Sequence, residues 1–227
     1  MDTAKLQQIL ASHKKWLKGE DGTRASLAGA SLAGANLDYA NLTRASLAYA
    51  DLAGADLNGA NLTRADLIRA SLAGADLTGA NLAGADLTGA NLTGANLIRA
   101  NLTRANLDYA NLAGANLSCA DLADAHLTSA NLADANLSRA DLAGADLILA
   151  NLTRADLDFS SWPLWCGSFN VRVDKRLAAQ LAYHFCRLDC DDADVQSAQN
   201  AIRDLGNTFH RVGECDKIEA NGGGHRG

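Results

Sequence analysis

A five-residue unit, Ala-(Asn/Asp/Ser)-Leu-x-x, repeats without insertion from Ala25 to Leu157 and constrains the fold more than any other feature of the chain. Alanine occupies every fifth position up to Ala155, and leucine every fifth position from Leu27, which makes 27 units. The residue between them is Asn thirteen times, Asp nine times, Ser four times and His once. Any fold of this stretch must therefore give the alanine and the leucine of every unit an equivalent environment.

The period of five excludes an ordinary α-helix and a straight β-strand. An α-helix advances about 100° per residue, so leucines five apart would be spread around its whole circumference and leave no apolar face. A strand alternates its side chains with period two, and successive leucines would therefore point to opposite faces. If the chain instead turns once in every unit, each alanine and leucine points to a common axis, as in a solenoid.

Runs such as Ala75 to Gly84, Ala-Asp-Leu-Thr-Gly-Ala-Asn-Leu-Ala-Gly, resemble the pentapeptide-repeat proteins, and the resemblance covers 133 of the 227 residues. It implies an all-β solenoid, a right-handed quadrilateral parallel β-helix with four units in each coil. The 27 units then make 27/4, or 6.75, coils. With coils about 4.8 Å apart, the rod is roughly 32 Å long. The buried leucines are expected to stabilise it without a metal ion or a disulfide bond.

Short α-helical caps are expected at both ends of the solenoid. The predicted segments are an N-terminal capping helix and loop (1–24), the β-helix (25–158), a C-terminal aromatic cap with helices (159–220) and a disordered tail (221–227). The first helix is expected from about Thr3 to Lys18, with Asp2 or Thr3 as its N-cap.

Two further helices are expected after the repeat, one from Asp174 to Leu188 and one from about Asp192 or Asp194 to Gly206. Between the repeat and these helices lies an aromatic cluster that is expected to seal the last coil. It comprises Phe159, Trp162, Trp165 and Phe169, with Leu164.

The composition favours a cytoplasmic bacterial protein. The net charge is −6, no apolar run approaches 18 residues, and Met1 to Leu10 lacks the core of a signal peptide. Five cysteines, an odd number at scattered spacings, argue against a secreted disulfide framework and for reduced thiols. They are Cys119, Cys166, Cys186, Cys190 and Cys215.

Residues 20 apart should stack in columns along the outside of such a rod. One column carries Arg44, Arg64 and Arg104, and another carries Tyr49, Arg69 and Tyr109. Tyrosine and arginine are enriched at the energetically dominant positions of protein interfaces, so these six residues are the candidate interaction surface. The alternative is that outward positions vary without functional constraint.

No motif for catalysis or cofactor binding is present, and the chain is predicted not to be an enzyme. Gly-x-Ser-x-Gly and the phosphate-binding Gly-x-x-x-x-Gly-Lys are both absent. Five residues near the C-terminus suggest zinc by type but lack the paired Cys-x-x-Cys spacing of a structural site. They are His184, Cys186, Cys190, His210 and Cys215. We therefore expect no catalytic, cofactor or metal site.

Two functional hypotheses remain. The first is a non-enzymatic solenoid that serves as a scaffold or presents a surface to a protein partner, whose identity the sequence does not reveal. The second, implied by the resemblance, is a mimic of double-stranded DNA that binds DNA gyrase or topoisomerase IV and protects against quinolones.

Charge density favours the first hypothesis. The repeat carries 13 Asp and 7 Arg, a net charge of −6. Over roughly 32 Å this is one charge per about 5 Å, compared with one per about 1.7 Å for duplex DNA. The third residue of every unit is Leu, and no loop interrupts the repeat. In both respects this chain departs from the gyrase-directed members of the family.

Direct binding to nucleic acid is disfavoured, because the rod is acidic and lacks a basic patch with interleaved aromatic residues. Helices at both ends favour a monomer over an end-to-end dimer.

Overall fold

A computed structural model of the chain describes residues 1–161, 171–186 and 193–207. It forms two compact units, one from Met1 to Arg172 and a second that begins at Val173. The three helices are α1 (Thr3–Leu17), α2 (Lys175–Cys186) and α3 (Ala193–Gly206). None of the helices in the described ranges is long and apolar enough to cross a membrane.

The repeat folds into stacked coils of 20 residues. Parallel β-bridges join the polar residue of each unit to the one 20 positions later, in an unbroken series from Ser26–Ser46 to Asn136–Asp156. Backbone hydrogen bonds carry each bridge: the Leu97 N–H, for example, donates to the Asn116 carbonyl at 2.7 Å. Four units complete one coil, so the predicted four-sided parallel solenoid is confirmed.

A β-turn forms the corner at the end of each unit. In the unit that begins at Ala90, the Ala95 N–H donates to the Leu92 carbonyl at 3.0 Å, and Gly94 has a φ of +64°. A positive φ at the third residue of the turn is the signature of type II. We number the positions of the unit 1 (Ala), 2 (polar), 3 (Leu), 4 and 5, so that position 5 is always this third turn residue.

Leucine and alanine fill the interior, as the sequence predicts. All 27 position-3 leucines are buried, and the most exposed of them, Leu157, has only 3% of its surface accessible. The position-1 alanines are buried from Ala45 onward, whereas Ala30, Ala35 and Ala40 of the first coil are half-buried. Each buried leucine contributes about 1.5–3 kcal/mol of apolar transfer free energy.

Helix α1 begins and ends where its capping residues require. The Asp2 carboxylate accepts a hydrogen bond from the Lys5 N–H at 2.7 Å, which confirms the predicted N-cap. At the other end Gly19, with φ +72°, donates its N–H to the Trp16 carbonyl at 3.0 Å. A glycine with positive φ just after the last turn is the usual C-terminal stop signal.

The same helix contacts the first coil at several points. The Met1 ammonium donates to the Ser31 carbonyl at 2.6 Å, and the Thr23 N–H donates to Ser12 Oγ at 3.0 Å. Gly22 approaches α1 so closely that an added Cβ would overlap the Ser12 carbonyl oxygen. Leu6 is 5% exposed. The chain therefore folds back and lays α1 against the N-terminal coil.

His13 is a buried polar contact between α1 and the first coil. Its side chain is fully buried, and Nδ1 accepts a hydrogen bond from the Ala25 N–H at 3.0 Å. The ring stacks on Trp16 with centroids 5.4 Å apart. Burial lowers the pKa of His13 below its usual value because desolvation disfavours the charged form; the Thr43 backbone opposes this, and the Arg24 charge adds to it. These contacts give His13 a packing role between α1 and the first coil.

We expect stability to fall as the pH is lowered below about 6.5, the ordinary pKa of histidine. In that range the unfolded chain binds a proton at His13 that the folded chain resists, so protonation favours unfolding. Thermal melts between pH 7.5 and 5.5 would measure the effect, and this window lies well above the titration of the carboxylates. His13→Gln keeps a hydrogen-bond acceptor and removes the titration. An unchanged pH slope in that variant would contradict the assignment.

After the repeat, the chain adds one further strand residue to the last coil. Arg172 pairs with Asn151 in parallel, 21 residues later rather than 20, and its N–H donates to the Ala150 carbonyl at 2.8 Å. The Asp174 carboxylate then accepts from the Leu177 N–H at 2.9 Å at the start of α2. Phe159 is 71% exposed. The other members of the predicted aromatic seal, and the predicted tail, lie outside the described residues.

Candidate interaction surface

Position 2 of the repeat has a structural role that uses one oxygen of every Asn and Asp found there. In all 22 such units, Oδ1 accepts a hydrogen bond from the backbone N–H of position 4; for Asp86 and Thr88 this distance is 3.0 Å. Such Asx turns hold the chain at the start of the corner. Recognition by these residues is therefore limited to the second oxygen or the amide nitrogen. The acceptor atoms belong to the position-2 residues from Asn36 to Asp156.

His126, the one histidine at position 2, shows how the turn is kept when this acceptor is missing. In its unit the Thr128 N–H donates instead to Asp108 Oδ1, at 2.9 Å, from the preceding coil. His126 itself is exposed. The replacement thus frees an imidazole at the surface without leaving a backbone donor unpaired.

Position 5 has a left-handed backbone in every unit, with φ between 52° and 70°. Glycine occupies it 11 times, and in 16 units the residue is larger, including arginine, tyrosine, leucine and phenylalanine. A non-glycine residue costs about 1–2 kcal/mol in this conformation. The chain therefore retains large position-5 side chains at sites where glycine would be less strained, which argues that some of them are kept for contacts outside the rod.

The register brings the two predicted columns to the two edges of one side of the rod, here called face A. Because position 5 forms the corner between one unit and the next, Arg44 precedes the side that carries Ser46, and Tyr49 follows it. The centre of face A is formed by Ser26, Ser46, Asp66, Asp86, Asn106, His126 and Asp146. Edge 1 is formed by Arg44, Arg64, Gly84, Arg104, Asp124 and Gly144. Edge 2 is formed by Tyr49, Arg69, Gly89, Tyr109, Ser129 and Leu149.

All six predicted residues are exposed on these two edges. Tyr49 and Tyr109 have 62% and 67% of their surfaces accessible, and Leu149 further along edge 2 has 55%. The arginines at 44, 64, 69 and 104 are also exposed. Face A thus combines apolar rings and guanidinium groups that are available for contact.

Ion pairing along the rod distinguishes one arginine of face A from the other three. Arg104 Nε lies 3.5 Å from the Asp124 carboxylate one coil later, and Arg154 lies 2.5 Å from the Asp134 carboxylate one coil earlier. This pair lowers the pKa of Asp134 by hydrogen bonding to Arg154. By contrast, the guanidinium groups of Arg44, Arg64 and Arg69 have no ion pair with any described residue.

Two glycines make room for two of these free arginines. An added Cβ on Gly84 would lie 3.5 Å from Arg64 Cγ, and one on Gly89 would lie 3.4 Å from Arg69 Cγ. Both side chains therefore lean toward the C-terminal end of the rod and lie over glycines on opposite edges of the same coil. Asp86 occupies the centre of that coil, where its Oδ1 is held by Thr88.

The charge of face A reverses along its length. Its first half carries Arg44, Arg64 and Arg69 against the two carboxylates of Asp66 and Asp86. Its second half carries Arg104 against three carboxylates, those of Asp108, Asp124 and Asp146. The remaining Asp residues are distributed over the other three sides. No side of the described rod presents the continuous acidic row of duplex DNA.

The other candidate groups lie outside the described residues or stand alone on the surface. The side chains of His184, Cys186, Cys190, His210 and Cys215 lie outside the description, so the zinc alternative stays untested. Cys119 is a free, exposed thiol. The described residues contain no cluster of three metal-ligating side chains.

Comparisons with known proteins agree with the repeat architecture. The sequence profile described as "Pentapeptide repeats" matches residues 25–64, 60–97, 95–132 and 120–158. A comparison with curated proteins gives no match. Among solved structures, HetL from the cyanobacterium Nostoc sp. strain PCC 7120, described as involved in heterocyst differentiation regulation, is 37% identical. That likeness covers 68% of this chain and 71% of HetL, with a TM-score of 0.33.

Two further solved structures are similar to part of this chain. A pentapeptide-repeat protein of the Arabidopsis thaliana thylakoid lumen is 33% identical over 47% of this chain and 68% of its own, with a TM-score of 0.27. QnrB1, described as a plasmid-mediated fluoroquinolone resistance protein, is 21% identical over 73% of this chain and 98% of its own, with a TM-score of 0.33.

Proposed function

Since the chain belongs to the pentapeptide-repeat family, whose members form right-handed quadrilateral β-helices, we propose that it is a non-enzymatic rod that binds a protein partner through face A. The observation that carries this proposal is the set of exposed, unpaired arginines at 44, 64 and 69. They stand in strained left-handed conformations beside exposed tyrosines. Arginine and tyrosine recur at interface hot spots.

Arg44 and Arg64 add a second cost that an external partner would relieve. They are neighbours on edge 1, one coil or about 4.8 Å apart at the backbone, and like charges so placed repel each other. Elsewhere on the rod, the same geometry places an aspartate beside an arginine, as in Arg104–Asp124. Carboxylates of a bound protein would supply the compensation that the chain itself does not.

Mimicry of DNA is the alternative, and the charge arrangement argues against it. The position-2 carboxylates each give one oxygen to an Asx turn, and Asp66 is flanked by Arg64 and Arg69, whose side chains lean over the coil of Asp86. An acidic mimic should instead present unbroken negative charge at a spacing near that of phosphates. We expect no salt-sensitive inhibition of gyrase supercoiling by this protein, and inhibition at low micromolar protein would favour the alternative.

The proposal also assigns a capping role to α1. Its contacts with the first coil cover backbone groups that would otherwise be open to pairing with another chain. The corresponding cap at the C-terminal end stays a prediction. A cytoplasmic location is likewise proposed, on the support of the odd number and scattered spacing of the cysteines.

Site-specific photo-cross-linking tests the proposed surface. A photoreactive phenylalanine replaces Tyr49 or Tyr109, and in a matched control it replaces Tyr39, which is 74% exposed in the same backbone conformation on another corner. After irradiation in cell lysate, we expect discrete adducts from positions 49 and 109 that Arg64→Asp suppresses. Equal adducts from position 39, or none from any position, would overturn the proposal.

A further inference from the structure

We infer that the occupant of face A is a second copy of this chain, bound side by side and antiparallel. The inference rests on the proposed use of face A and names its partner. It starts from the reversal of charge along the face, basic in the first half and acidic in the second. When two such faces meet antiparallel, the basic half of each lies against the acidic half of the other.

The symmetry of such a pair fixes which residues meet. A two-fold axis that lies in the interface and crosses the rods places each edge opposite the same edge of the second copy, in reverse order. Only the position of the axis along the rod remains to be chosen. We place it midway between the coil of Asp86 and the coil of Asn106.

On edge 1 this register pairs opposite charges. Arg64, unpaired in its own chain, lies opposite Asp124 of the second copy, and Arg104 lies opposite Gly84 of the second copy. Asp124 is 57% exposed even while it contacts its own Arg104, so it remains accessible to a second guanidinium. Because the dimer has two-fold symmetry, each of these contacts occurs twice.

The centre and edge 2 are complementary in the same register. At the centre, Asp66 lies opposite His126, the imidazole that stands in place of an Asn or Asp. On edge 2, Tyr49 lies opposite Leu149, both exposed, and Tyr109 lies opposite Gly89, over which the Arg69 side chain lies. By position along the rod, no two like charges of face A are opposite each other.

Neighbouring registers lose this complementarity. Moving the axis onto the coil of Asp86 places Asp86 against its own copy and Arg64 against Arg104. Moving it one step further, between the coils of Asp66 and Asp86, places these two carboxylates opposite each other. Moving it the other way, onto the coil of Asn106, places Asp108 and Arg104 each against their own copies. The sequence of face A therefore specifies one register.

A single face of a narrow rod buries an area near the lower end for a specific interface, about 600 Å² per partner. We therefore expect a reversible dimer with a dissociation constant of about micromolar order that weakens as salt is raised.

Sedimentation equilibrium of the full chain, with charge-reversed variants, tests the inference. The wild-type protein should reach twice its 23.6 kDa mass as concentration rises. Arg64→Asp alone and Asp124→Arg alone should each weaken dimerisation at least about tenfold, because each creates two like-charge contacts. An equimolar mixture of the two variants should dimerise again, since both contacts of the mixed pair then join opposite charges.

Two further variants test the interface by steric hindrance and leave its charges unchanged. Gly89→Tyr should abolish the dimer because its ring meets Tyr109 of the second copy, whereas Gly94→Tyr, in the same coil on another corner, should not. Thermal melts verify that each variant is folded. A wild-type protein that stays monomeric, a mixture that does not dimerise, or a dimer unaffected by Gly89→Tyr would each overturn the inference. Cross-links from Tyr49 to a different protein would then leave the proposed function standing.

Discussion

Replacing Leu97 with aspartate is expected to destabilise the protein by about 5 kcal/mol or more, enough to unfold at least the adjoining coils. Leu97 is completely buried; its N–H donates to the Asn116 carbonyl of the next coil, and its carbonyl accepts from the Ala100 N–H in its own corner. The change removes about 1.5–3 kcal/mol of apolar burial and places a carboxylate where no described donor can reach it. Urea denaturation followed by circular dichroism would measure the loss.

Asn96→Asp is the matched control, because it introduces the same carboxylate one residue earlier on the outside. Its Oδ1 can still accept the hydrogen bond from the Ile98 N–H, now at 3.3 Å. We expect a change within about 0.5 kcal/mol, as for other surface substitutions. Equal tolerance of both substitutions would mean that position 3 does not point to the interior.

Deleting the single residue Thr93 is expected to have the next largest effect, a loss of several kcal/mol. The deletion leaves Leu92 and Ala95 too close in sequence to form the corner whose hydrogen bond measures 3.0 Å. A coil of 19 residues is short by one residue, or about 3.3 Å of extended chain, and cannot stay in register with both neighbours. Thermal melts and limited proteolysis would show the loss.

Inserting a complete unit, Ala-Asn-Leu-Thr-Gly, after Gly94 adds more residues than the deletion removes, yet it should leave the protein folded. Every unit supplies the same alanine and leucine to the core, so the stack can continue. The insertion moves every residue after it to the next side of the four-sided rod. If this variant unfolded as readily as the Thr93 deletion, the five-residue unit would not be the module of folding.

The core could be predicted from sequence because one residue type occupies each inward position. Leu97 is equivalent to 26 other leucines, and no arrangement except one turn per unit gives all of them the same environment. Asp2 and Gly19 likewise defined α1, since capping chemistry is local. The bridge from Asn151 to Arg172 lies beyond the repeat and has a different spacing, so periodicity gave no indication of it.

The surface was predicted less completely. The six candidate residues were identified as columns, but their left-handed backbone was not, since arginine and tyrosine seldom adopt a positive φ outside a context that imposes it. The eleven glycines at position 5 are the sequence feature that indicates a positive φ there. The Asx turns were also missed, although 22 Asn and Asp residues at position 2 are the composition that such turns favour.

Photo-cross-linking from position 49 in two insertion variants tests most directly whether face A is a continuous interaction surface. One inserted unit after Gly94 moves Arg104, Tyr109 and Asp124 to a different side from Tyr49, whereas four inserted units add a whole coil and return them to face A. We expect adducts from the wild type and the four-unit variant, and loss of adducts from the folded one-unit variant. Equal adducts from all three proteins would show that alignment of the two halves of face A is irrelevant to binding and would contradict the account.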